Sequence, residues 1–394
     1  MRSESVAWER AAEVREAAEG WRRAQIIGTP AYEAIRQAYP DPCVTPSAIW
    51  RILTAVMVTA VTLCSLGALW LATRPGSTGL ALLIVVLGVA AWVLTERLQA
   101  SPRSARRGAA GATAFWGSVF VLVGVGIFVN ESLKIPSAQT MNTVLLASVL
   151  VWAASCWRWG SPVFAALSAL SLFGLLGRLP LGRALWLLAG AALIGLFARR
   201  SDDLAWAPSH RRAAMVLLVV GVGAVYAALN VYSLDVRFVE GFVKFAPVRT
   251  EPPRWLFVVA AVATAVMPVT ILAWALKSRR TVLLDTGIVL AALSLVTLRQ
   301  YVHVAPLWIV LTASGAALIV LALAVERALR HSPDGERGGF TADALFTDDR
   351  RQQMLQTVPV VAAFTPAAHI PATEEKGFAG RGGAFGGGGA SDKF

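Results

Sequence analysis

Few residues in this chain are placed to do chemistry, and most of those stand at the ends of apolar runs. Asp285 lies inside such a run, TVLLDTGIVLAALSLVTL, just downstream of Lys277, Arg279 and Arg280. A carboxylate there suits a proton or cation ligand. It is better explained as an interfacial aspartate satisfied by its basic neighbours. Glu131, Arg299 and His303 flank other apolar runs and would form one polar site only if the fold brings them together. Pro268 stands mid-run in AVMPVTIL, where a proline removes a backbone donor and frees a carbonyl one turn earlier. Thr264 or Thr270 is the expected compensation, and the position is a candidate hinge.

Catalytic constellations are missing. His210, His303, His331 and His369 are scattered, and no HExxH, GxSxG or Walker-type loop occurs. Intramembrane proteolysis would need paired aspartates, or Ser with His, inside apolar runs, and neither pair is present. The expectation is a chain that is not an enzyme, with no cofactor and no metal. Cys43, Cys64 and Cys156 form no CxxC and no even-numbered framework, so they read as packing residues.

The elements that must position these residues follow from composition. Of 394 residues 56% are hydrophobic and 15% charged, against about 25% charged in soluble domains. A soluble core of this size has no room for so much apolar surface, whereas a bilayer has. A helix crosses roughly 30 Å of hydrocarbon with about 20 apolar residues while satisfying its own backbone. Runs of that kind recur at 49–72, 79–96, 111–130, 141–157, 162–177, 183–198, 212–232, 255–276, 281–298 and 307–325. The fold expected is all-α and polytopic, with about ten spans over residues 48–330. The fifth and sixth are short and joined by RLPLGR, so a single re-entrant pair is the alternative for them. Trp50, Trp157, Trp159, Trp255 and Trp308 near span ends suit an aromatic belt.

The net charge of +12 comes mainly from arginines at the ends of these runs, where they reach lipid headgroups, and not from a nucleic-acid footprint. Short loops with Arg97, Arg103, Arg106 and Arg107, with Arg199, Arg200, Arg211 and Arg212, and with Lys277, Arg279 and Arg280 alternate with poorer ones. Positive-inside bias then places both termini in the cytoplasm. No cleaved signal peptide is expected.

Residues 1–47 read as a cytosolic helical hairpin: a helix through ESVAWERAAEVREAAEGWRRAQII closed by Gly28, then one opened by Thr29 and Pro30. In the loop LDVRFVEGFVKFAPV, an interfacial helix and a hairpin turning at Glu240-Gly241 both fit, the helix better. Residues 331–394 read as one short helix, TDDRRQQMLQTV, followed by a disordered Pro/Ala-rich and then Gly-rich tail. The third and seventh spans both follow an Arg-Arg pair and both contain Gly-Val-Gly, at Gly124 and at Gly221. The spacings differ, and chance in a restricted alphabet accounts for the likeness.

Trp21, Ile26, Ile27, Ala34, Ile35 and Tyr39, in WRRAQIIGTPAYEAIRQAYP directly before the first span, resemble the opening of a class of bacterial multi-pass membrane proteins of unknown function. These begin with a short cytosolic helical pair; Gln25 stands where the class has glycine. The tail AFGGGGASDKF is similar to glycine-rich, aromatic-ended tails of other bacterial membrane proteins. The resemblance implies a bacterial inner-membrane location and supplies no activity. The function expected is a non-enzymatic membrane component in contact with membrane lipid and with a protein partner or a second copy; the alternative is a transporter or channel for a small or lipid-like solute.

Overall fold

The computed structural model describes residues 3–23, 26–40, 48–73, 75–101, 108–179, 181–230, 254–278, 280–301 and scattered positions from 312 to 341. Its helices are α1 (Ser3–Arg23), α2 (Thr29–Ala38), α3 (Ala48–Thr73), α4 (Ser77–Ala100), α5 (Ala109–Ile127), α6 (Ser137–Trp159), α7 (Pro162–Gly177), α8 (Gly182–Arg200), α9 (Pro208–Leu229), α10 (Arg254–Ser278) and α11 (Thr281–Tyr301). A π-helical turn, Phe128–Ser132, continues α5. The other regular structure among the described residues is a ladder pairing Glu336–Arg337 with Phe340–Thr341, which sequence reasoning did not place.

The chain divides into two compact units. One comprises residues up to Arg10, Pro42–Pro46 and Trp50–Leu311; the other comprises Ala11–Asp41, Ser47–Ile49 and Thr312–Phe394. In the second unit α2 begins one residue earlier than its sequence suggests. Gly28, extended at φ −74° and ψ 164°, is the N-cap of α2 and does not close α1, which ends at Arg23. Proline in the first turn still opens the helix, because its missing N–H is one the helix cannot use there.

The first unit holds the membrane region. Seven described helices are long and apolar enough to cross a bilayer, beginning with Ile49–Thr73 and ending with Val258–Ser278. α7 is apolar but has 16 residues, which at about 1.5 Å each reach about 24 Å, short of roughly 30 Å. The stretch expected as a tenth span, 307–325, lies largely outside the described residues, as do the loop at 231–253 and the tail beyond 341. α7 and α8 do not form a self-contained pair: α7 packs on α6 and α9, and α8 packs mainly on α9.

Successive helices pack as hairpins, α4 with α5, α6 with α7, α8 with α9 and α10 with α11. In the core of the first two, Trp152 stacks between Phe115 and Phe164, with ring centroids 5.7 and 5.5 Å away. α7 joins the halves by laying Ala169 and Phe173 against Ala224 of α9. Trp159 belongs to this core and not to an aromatic belt, whereas Trp157, two residues earlier, is 80% exposed. α3 differs from every other long helix. None of its residues from Ile49 to Thr73 is buried.

Candidate functional site

Asn230, Thr264 and Ser294, three of the buried polar residues, join Tyr226 in one hydrogen-bonded group at the carbonyl that Pro268 frees. α9 supplies Tyr226 and, just past its end, Asn230; α10 supplies Thr264 and Pro268; α11 supplies Ser294 and Thr297. Pro268 has no N–H, so the Thr264 carbonyl four residues earlier loses its helical donor. Ser294 Oγ, 2.9 Å away on α11, donates to that carbonyl instead. A serine hydroxyl has one proton. The contact between Ser294 Oγ and the Tyr226 hydroxyl, at 3.0 Å, is therefore donated by the tyrosine. Asn230 Nδ2 donates to the Tyr226 oxygen at 3.4 Å, and Thr297 Oγ1 lies 3.5 Å from it. Thr264 and Asn230 are fully buried, and Ser294 and Tyr226 nearly so.

Pro268 lies inside α10, which runs as one helix from Arg254 to Ser278, and the compensation expected for its freed carbonyl comes from elsewhere. The hydroxyls of Thr264 and Thr270 bond one turn back within α10, to Ala260 O at 2.7 Å and Val266 O at 3.0 Å. Neither reaches the freed carbonyl, which is satisfied from another helix. The freed carbonyl is thus held from α11, and the node offers hydroxyls and an amide with no charged group at its centre. Its chemistry is hydrogen bonding.

A second polar set lies where α4, α6 and α8 end and α9 begins. Arg158 donates to both oxygens of Glu96, from Nε at 2.8 Å and Nη2 at 2.6 Å, and Trp159 Nε1 donates to Glu96 Oε1 at 2.9 Å. His210 Nε2 donates to Trp157 O at 3.0 Å. Gly160, at φ +66°, leaves the space that Ser209 and His210 occupy; a β-carbon there would fall 2.5 Å from Ser209 Oγ. From α1, Glu9 accepts from the Ser209 backbone N–H at 3.1 Å, capping α9, which has no side-chain cap of its own. Arg10 donates to Ala205 O at 3.0 Å in the same loop.

Of the charged residues singled out from sequence, Asp285 lies on α11 and Glu131 on the π-helical turn that continues α5. Asp285 is exposed on α11 and has no ion pair among the described residues. The expected partner Arg280 is turned away, bonding Ala198 O at 2.7 Å and pairing with Asp202, while Lys277 is exposed and Arg279 lies outside the described residues. Glu131 is exposed in the π-helical turn and accepts from Asn130 at 2.9 Å. The Arg299 side chain and His303 lie outside the described residues. Glu96, Tyr226, Asn230 and Ser294 were missed. For Glu96 a signal existed: a carboxylate closing one apolar run, with Arg158 closing another on the same side. No protein-family model, curated protein or solved structure matches this chain.

Proposed function

We propose that this protein is a non-enzymatic component of the bacterial inner membrane, with both termini cytoplasmic, that works by lateral assembly with a partner protein through α3. The observation that carries this reading is α3 itself, a helix of 26 residues with no buried position from Ile49 onward. Helices associate in lipid through van der Waals packing and close backbone approach, for which small residues are needed. α3 exposes Ala60, Cys64 and Gly67 along one face, while its ties to the rest of its unit are few. Trp116 Nε1 donates to Thr59 Oγ1 at 2.9 Å, and Gly108 approaches Arg51 O. The bundle interior supports the same reading, because its clusters are apolar and the buried hydroxyls among the described residues are hydrogen-bonded within the protein. Purification in mild detergent tests it. The wild-type chain should retain a partner or a second copy, and Gly67→Leu together with Ala60→Leu should release it without loss of the folded bundle.

Movement of a small solute is the second reading, favoured by the hydroxyl node beside Pro268. Polar groups buried among membrane helices are a recurring mark of solute paths. Flux across proteoliposomes that Tyr226→Phe abolishes would favour this reading over lateral assembly.

A further inference from the structure

The crossing of α4 with α5 and that of α8 with α9 are built alike, atom for atom. A β-carbon on Gly88 would fall 2.7 Å from Gly117 O and 2.8 Å from Val121 Cγ2; one on Gly190 would fall 2.9 Å from Gly221 O and 2.8 Å from Val225 Cγ2. From the other side, Gly117 faces Gly88 O at 2.9 Å and Ala91 Cβ at 3.1 Å, and Gly221 faces Gly190 O and Leu193 Cβ, each at 3.0 Å. Gly88 and Gly190 are 102 positions apart, as are Ala91 and Leu193, while Gly117 and Gly221, like Val121 and Val225, are 104 apart. At distances this short a β-carbon fits only if its neighbours give way, and each of the four glycines meets a backbone carbonyl oxygen of the facing helix.

Burial along the second helix of each hairpin keeps the same step. Ala110, Ala114, Ser118, Phe120, Leu122 and Gly124 of α5 correspond to Ala214, Leu218, Val222, Ala224, Tyr226 and Ala228 of α9, all of them buried. Thr113 alone among the buried α5 residues has a half-buried counterpart, Leu217. A shared helical period would let two buried helices match in several registers. The glycine contacts select one of them. A third agreement comes from the ends of α4 and α8. Glu96 receives Arg158 and Trp159 from the end of the following hairpin's first helix. The residue 102 positions later, Ala198, receives Arg280 on its carbonyl from the turn of its own following hairpin.

We infer that α4–α7 and α8–α11 are two copies of one four-helix unit, and that the Tyr226 hydroxyl node is a polar site acquired by the second copy alone. Because each unit has an even number of helices, both copies run through the membrane in the same sense, the parallel class of internal repeat. The Gly-Val-Gly likeness at Gly124 and Gly221 is in the wrong register; the equivalent glycine of α5 is Gly117. The copies differ where packing permits a choice. Leu122 stands where Tyr226 does, and Val222 stands where Ser118 bonds Trp92 and Ser155. The frame needs only bulk at position 226, so the phenol there is an addition to it.

Cysteine pairs in the full-length chain, with Cys43, Cys64 and Cys156 replaced by alanine, test the equivalence. Ala91→Cys with Gly117→Cys, and Leu193→Cys with Gly221→Cys, should both form a disulfide under mild oxidation in membranes, their β-carbons being close to bonding separation. Controls with Ala90→Cys in place of the first and Ala192→Cys in place of the third, each facing away, should form none. Should a cysteine at a contact glycine prevent accumulation, Trp92→Cys with Ser118→Cys and Ile194→Cys with Val222→Cys pose the same question through a short bifunctional thiol reagent. Cross-linking in one hairpin at these positions and in the other only at a shifted register would overturn the duplication.

Discussion

Ser294→Ala should cost far more in the wild-type chain than in a chain carrying Pro268→Ala. With proline present, Thr264 O depends on Ser294 Oγ at 2.9 Å, and the alanine leaves a buried carbonyl with no donor. Such an orphan costs about 1–3 kcal/mol. Hydrogen bonds between membrane helices average nearer ~0.6 kcal/mol, because the reference state in lipid also finds partners. The lower part of the first range, about 1–2 kcal/mol, is therefore expected. Tyr226 loses an acceptor too, but Thr297 Oγ1 at 3.5 Å is close enough to replace it after a small rotation. Restoring an amide at position 268 gives the carbonyl a donor from its own helix, so the same Ser294→Ala change should then cost less than about 0.5 kcal/mol. The assay is a double-mutant cycle read by reversible unfolding in mixed micelles, where the coupling energy is the difference between the two costs. Equal costs in both backgrounds would refute the claim that Ser294 satisfies the carbonyl freed by the proline.

Glu96→Ala should destabilise the bundle by about 1–2 kcal/mol, because it orphans the buried Trp159 N–H as well as releasing Arg158, while Glu96→Gln keeps an acceptor and should cost less; thermal unfolding in detergent orders the two. Gly88→Val and Gly190→Val should each cost about 1–3 kcal/mol or more through overpacking against backbone, whereas Gly111→Ala and Gly195→Ala, with open space around them, should be near neutral in the same assay. Glu9→Ala should cost about 1 kcal/mol as a lost helix cap and should raise the rate of proteolytic cleavage in residues 201–207.

The membrane architecture was legible because it rests on run length and composition, which a bilayer reads directly. The freed carbonyl was legible for a similar reason: proline acts on its own helix. What satisfies that carbonyl was not, since Ser294 is 30 residues from Thr264 and one serine in an apolar run looks like any other. The pairing of Arg280 with Asp202 in place of Asp285 is likewise a matter of tertiary direction. Asp285 stands close to Arg280 in sequence and Asp202 is 78 residues from it, and only the packing of α8 beside the α10–α11 turn brings the distant carboxylate to the guanidinium. The duplication escaped notice because few letters are retained between the copies and the step changes from 102 positions for α4 and α8 to 104 for α5 and α9. Burial pattern and contact geometry persist where residue identity does not.

Lateral assembly through α3 is tested most directly at its native thiol. Cys64 is exposed on the face that carries Ala60 and Gly67. Cross-linking of intact membranes with a short, membrane-permeable thiol reagent should yield a single adduct of defined mass, absent after Cys64→Ala and retained after Cys156→Ala. Modification of Cys64 by the reagent with no adduct, from this position and from cysteines placed at Ala60 and Gly67, would contradict the account and leave α3 a helix covered by lipid alone.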